Sequence, residues 1–205
     1  MRKPALKIVS PAVDPADEPD GRRRRSHDSR ARIVAAMLAL TQEGEIAPGA
    51  EQVAARAGVG LRTVFRHFDD MESLYSEMSA TIEAELAAIV LRPFTGATWR
   101  ARLSELIERR SFAFEKIAPF KNAADVHRHD SAFLAAAHKR LVATLRDILR
   151  SVLPAEIAAD ALKFEALDMM MSFEAWRRLR ADQGLSVRRA REVLEGAVMR
   201  VAAGR

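Results

Sequence analysis

The chain has 205 residues, 49% of them hydrophobic and 30% charged, enough for one large domain or two small ones around an ample core. It has no cysteine, which excludes a disulfide framework or a cysteine-based zinc site and fits a reducing cytoplasm, and no apolar run approaches the ~20 residues of a membrane span. The net charge of +5 favours polyanionic partners, nucleic acid first.

Residues 1–21 carry Pro4, Pro11, Pro15 and Pro19 among scattered acids and show no helical period. They are expected to be disordered, and with no apolar stretch behind the charges a secretory signal is not expected. Four consecutive arginines at 22–25 follow, so residues 1–25 read as a basic-ended tail. The run is either a solvated charge cluster or a binding element.

From Ser26, a candidate cap, the pattern changes. Ile33, Val34, Met37, Leu38 and Leu40 share the face of an amphipathic helix that Gly44 would stop. Pro48 and Gly49 open a second helix, Gly58 closes it, and a third runs from about Leu61 to His67. In the stretch EQVAARAGVGLRTVFRHF (51–68), Val53, Ala57, Val59, Val64 and His67 stand where two short helices press on each other. Ala54 is small enough for a close crossing, and Gly58 stands where a left-handed turn residue is wanted. This is the pattern of a helix-turn-helix, a module whose second helix lies in the DNA major groove.

Asp69, followed three residues later by Glu72, reads as a capping box opening a fourth helix, with Leu74, Met78, Ile82, Leu86 and Ile89 inward. This helix should end near Pro93, giving a DNA-binding domain over 26–92 and a second, helical domain over 95–205. In the latter the pattern predicts a helix from Trp99 to Lys116, broken by Pro119, and a short one over 120–128. Another spans 130–153, with Phe133, Leu134, Leu141, Leu145, Ile148 and Leu149 inward. A long helix follows from Pro154 to Ala181, and a last one is capped by Ser186 and ends near Ala203. No strand pattern or internal repeat is evident, so the fold class is all-α.

The segments QVAARAGV (52–59), TVFRHF (63–68) and ESL (72–74), with SFEAWRRL (172–179) and GLS (184–186) near the C-terminus, resemble those of the TetR (tetracycline-repressor-type) transcriptional regulators. The resemblance spans the chain from about Ser26 on, strongest in the head. It implies a homodimer that binds a palindromic double-stranded DNA operator, usually represses, and is released by a small molecule in the body. By carry-over the DNA-binding positions are Gln52, Gly60, Leu61, Arg62, Thr63, Phe65, Arg66 and His67. Arg62 would reach a guanine, Thr63 a phosphate or a thymine methyl, and Arg66 the backbone. His67 is either a phosphate neighbour or a packed core histidine. Phe65 stands where relatives often carry a phosphate-binding tyrosine, and Met71 where they often carry a lysine, so the arginine run is expected to make up lost phosphate contacts.

The last two helices of each chain would pair in the dimer. Their apolar residues Trp176, Leu179, Val193, Leu194, Val198 and Met199 either make that interface, which is the expectation, or close the monomer core. Phe112, Phe114, Phe133, Met169, Met170 and Phe173 are the candidate ligand-binding residues for an apolar or amphipathic effector, or else plain core. His127, His129 and Asp130 have poor metal geometry, and Glu165 with Asp168 reads as a salt-bridge pair. No nucleophile turn or phosphate loop occurs, so neither catalysis, cofactor nor metal is expected. A regulator of the same fold without a small-molecule effector is the alternative, and a helical enzyme or scaffold a remote one.

Overall fold

A computed structural model describes residues 18–127 and 131–204. Among them there are only helices: α1 (Glu18–Gln42), α2 (Ala50–Ala57), α3 (Leu61–His67), α4 (Met71–Val90), α5 (Trp99–His127), α6 (Ala132–Val152), α7 (Ala155–Ala159), α8 (Ala161–Met170), α9 (Phe173–Arg177), a π-helical turn (Arg178–Asp182) and α10 (Val187–Ala202). None is long and apolar enough to cross a membrane.

The apolar residues bury into two clusters. The head cluster joins Ile33 and Met37 of α1, Val53 and Ala57 of α2, Val64 and Phe68 at α3, and Leu74 and Met78 of α4. The body cluster gathers Leu103, Ile107 and Phe114 of α5 with Leu149 of α6, Phe164 of α8, Trp176 of α9 and Leu194 of α10. Phe120 of α5 belongs to the head cluster, and Ile82 of α4 packs against both. The two cores thus share a wall made of α4 and α5.

The segment between α4 and α5 is pinned. Arg109 donates to the carbonyls of Arg92 and Pro93 and stacks on Phe94, while Glu105 accepts from the Thr95 amide at 3.0 Å. At Gly96 a Cβ would come within 2.8 Å of the Arg102 backbone nitrogen, so only glycine fits this close approach.

Four expectations need correction. First, α1 reaches back to Glu18, so the arginines at 22–25 and Ser26 lie within a helix rather than in a tail. Pro19 in the first turn supplies a helical φ, acids near the N-terminus suit the dipole, and arginine is a good helix former. Residues 1–17 lie outside the described residues. Second, α5 passes through Pro119 without stopping. Ile117, Phe120, Lys121 and Ala123 are buried on either side of it, and that packing outweighs the roughly 3 kcal/mol a proline costs in a helix.

Third, the stretch 154–181 is not one helix. Asp160 accepts from the Lys163 amide at 3.1 Å and Ser172 from the Ala175 amide at 3.1 Å, and each restarts the helix at its own cap. Fourth, the box opening α4 sits one residue later than expected. Asp70 accepts from the Ser73 amide at 2.8 Å, and Glu72 is released to accept from Ser131 Oγ at 2.5 Å. Ser131 itself caps α6, receiving the Leu134 amide.

Candidate nucleic-acid interface and body cavity

The turn between α2 and α3 is built by one glycine. Gly58 takes φ 64° and ψ 40°, and the Gly58 and Val59 amides close back on the Ala55 and Ala54 carbonyls at 3.2 and 3.0 Å. This paired closure ends α2 and reverses the chain within three residues. Val64 of α3 is 1% exposed and anchors the short helix on the head core, with Phe68 behind it.

With Val64 inward, α3 turns Leu61, Arg62, Phe65 and Arg66 outward. Leu61 and Phe65 remain 40% and 48% exposed despite their apolar side chains. Neither Arg62 nor Arg66 has a carboxylate partner among the described residues. Arg56, by contrast, is tied to Glu43 through both its terminal nitrogens, which holds α2 to the end of α1 and holds the Glu43 carboxyl below its ordinary pKa. Two arginines free of carboxylates therefore stand on the outward face of α3, beside an apolar strip of two residues.

Of the other expected contacts, Gly60 is exposed at the start of α3 and Thr63 is half-buried. Gln52 is exposed, but its side-chain oxygen accepts from the Gly49 amide at 2.8 Å and so caps α2. His67 is half-buried with Nε2 enclosed and lacking a hydrogen-bond partner. Burial, with Arg66 and Arg30 nearby, holds its pKa below the ordinary 6.5, so the ring is neutral at physiological pH.

Sequence reasoning missed Arg30. From α1 its Nε lies 2.9 and 3.0 Å from the two carboxylate oxygens of Glu77 on α4, another nitrogen donates to the His67 carbonyl, and the guanidinium stacks 4.3 Å from the Phe68 ring centroid. One side chain thus fixes the C-terminal end of α3 against α1 and α4. Periodicity gave no sign of it, because the partner lies 47 residues away.

In the body, α4, α5 and α6 line a half-open cavity of about 130 Å³ walled by Ile82, Leu86, Ile117, Phe120, Leu134 and Leu141, with Lys121, Asp125 and His138 also on its lining. A smaller chamber of about 40 Å³ shares Lys121, His138 and Leu141 with it and extends to Arg110, Asp168 and Phe173. Of the six aromatic and methionine positions singled out from sequence, Phe173 lines this second chamber. Phe114 packs edge to face against Phe173 at 5.6 Å in the core, Phe133 and Met170 are half-buried, and Phe112 and Met169 are 47% and 67% exposed.

The C-terminal apolar residues also divide. Trp176, Leu194 and Val198 are at most 5% exposed and belong to their own chain's core, contrary to the expectation that they face a partner. The cause is polar as well as apolar: Glu115 of α5 accepts from Trp176 Nε1 at 2.8 Å and from Arg180, which draws α9 inward. Leu179 and Met199 pack partly on the same core, and Val193 stays 38% exposed. Glu165 and Asp168 both bind Arg146, as the salt-bridge reading had it. His129 and Asp130 lie outside the described residues.

No protein-family model matches the sequence, and no curated protein matches it. Solved structures do. The chain is similar to a transcriptional regulator from Rhodococcus sp. Rha1 (TM-score 0.68, 19% identity, 85% of this chain and 96% of that one). It is also similar to a proposed transcriptional regulator from Streptomyces coelicolor A3(2) (TM-score 0.61, 20% identity, 85% and 98%). A TetR-like transcriptional regulator from Rhodococcus sp. RHA1 shares the fold as well (TM-score 0.58, 16% identity, 86% and 97%). The chain shares the fold of these regulators, one of them TetR-like, as the sequence motifs implied.

Proposed function

We propose that the protein is a DNA-binding transcriptional regulator, a homodimer that represses from a palindromic operator and lets go when a small molecule enters the body. The observation that carries this reading is the outward face of α3. Two arginines free of carboxylates flank two exposed apolar side chains, on a helix held rigidly by Val64 beneath and by Arg30 at its end. An arginine fork suits guanine or phosphate, and Leu61 with Phe65 suits thymine methyl groups.

One such helix reads only a few base pairs, so two copies about one DNA turn apart are needed for a specific site. The outer faces of α8 and α10 supply a surface for pairing, since Leu162 is 86% exposed, Met169 67% and Val193 38%. The start of α4 is poorly suited to a phosphate, because Asp70 already takes the Ser73 amide. The arginines at 22–25, standing on α1 before the residues that pack on α2, add a further source of backbone attraction.

Release follows from α4 serving two masters. Its first turn packs Met71 on the head and Glu72 on Ser131, the cap of α6, while Ile82 and Leu86, about three and four turns on, wall the cavity. A ligand that spreads α4 from α6 would tilt the head and change the separation of the two α3 helices. The test is binding to fragments of the DNA flanking the gene. Arg62→Ala with Arg66→Ala should abolish specific binding while leaving the helical content intact, and unchanged affinity in that variant would sink the reading.

A further inference from the structure

Among the charges around the two body chambers, Arg110 stands apart. It is 2% exposed, yet its two terminal nitrogens donate to backbone carbonyls, those of Met171 at 2.9 Å and of Leu145, and its Nε has no partner. Among the described residues no carboxylate touches it. Asp168, whose charge acts on it electrostatically, is held by Arg146 at 2.7 Å. Lys121, 9% exposed, lies on both chambers and pairs with Asp125 at 2.5 Å, with the exposed Glu174 more remote at 3.8 Å.

A buried cation without a counter-ion is costly, and burial pushes the Arg110 pKa down to about 10, still high enough to keep it charged at neutral pH. The charge is therefore kept in place where a ligand anion would relieve it. The room fits that purpose. The chamber beside Arg110, at about 40 Å³, exceeds the roughly 10–15 Å³ that one water needs, and it shares Lys121, His138 and Leu141 with the larger apolar cavity.

We propose that the effector is an amphiphile with a single anionic head. Its apolar body fills the cavity between α4, α5 and α6, and its head lies in the adjoining chamber beside Arg110 and Lys121. This rests on the ligand-responsive reading above and adds the chemical class. Arg110 is the specificity-determining residue. Lys121 helps by exchanging part of its contact with Asp125 for the incoming anion.

The test uses the full chain without DNA and three probes of one length: octanoate, octanol and octylamine, followed by calorimetry and thermal shift. Octanoate is expected to bind at least tenfold tighter than either of the others and to raise the melting temperature most. Octanol or octylamine binding as tightly as octanoate would overturn the proposal, as would the absence of binding by all three. Arg110→Met should erase the preference while keeping octanol binding. Because Arg110 also holds two carbonyls and that variant can fail to fold, Lys121→Met serves as a second probe and should weaken octanoate several-fold but not octanol. Octanoate that binds this way yet leaves the protein on its DNA would support the site and overturn only the release reading.

Discussion

Arg30 of α1 and Glu77 of α4 meet through a forked contact, Nε standing 3.0 and 2.9 Å from the two carboxylate oxygens. The same guanidinium holds the last carbonyl of α3, so the pair ties the end of α3 to α1 and α4. Both side chains are about a third exposed or more, so solvent screens the charge energy. Glu77→Gln should cost about 1 kcal/mol of stability. Arg30→Met should cost more, because the His67 carbonyl and the Phe68 ring lose their partner too. A double-mutant cycle by urea denaturation measures the coupling, and strictly additive effects would show that the contact is idle.

His67 gives the head a pH dependence of known sign. Burial holds its folded pKa below 6.5, so the unfolded chain binds the proton more readily. Stability contributed by the neutral ring is present above pH 6.5 and is lost as the pH falls below it, toward the depressed folded value. His67→Asn should flatten denaturation midpoints measured between pH 7.5 and 5. A midpoint for the native chain that rises on acidification over this range would contradict the burial argument.

Arg62 and Arg66 lie on the same exposed face but should fail differently. If Arg62 holds a guanine edge, Arg62→Ala should cost about 1–3 kcal/mol and relax the preference at one position per half-site. Arg66→Ala should weaken all sequences alike and reduce the salt slope by about 1, as loss of one phosphate contact does. Binding to a panel of single-base operator variants at several salt concentrations separates the two.

The helix-turn-helix was legible because its signals are local: Gly58 in a left-handed turn, Val64 inward, and a seven-residue helix with the bounds the motif implied. What escaped was decided across the chain. Pro119 stays helical because it sits where both cores press on α5, a tertiary effect that overrides propensity. Trp176 points inward because Glu115, 61 residues away, takes its indole N–H. The cavity lies among Ile82, Phe120 and Leu134 on three separate helices, and no single periodic stripe announces that meeting.

Trp176, Leu194 and Val198 serve the monomer, so the proposed dimer would pair through residues left outside. Leu162 and Met169 lie seven apart on α8, two turns along one side, and both are largely exposed. Leu162→Asp with Met169→Asp should yield a folded monomer by sedimentation, with operator affinity reduced by at least tenfold. A dimer that survives this double change would place the interface elsewhere.

On the proposed function α3 reads DNA as one half of a twofold pair, and a footprint on the DNA flanking the gene is the decisive measurement. Protection of a palindrome is expected, with half-site centres about 34–36 Å apart or a multiple of that, weakening steeply with salt. Replacing the arginines at 22–25 by alanine should leave the palindrome unchanged and flatten the salt dependence. Protection without twofold symmetry, or none at any salt concentration, would contradict it.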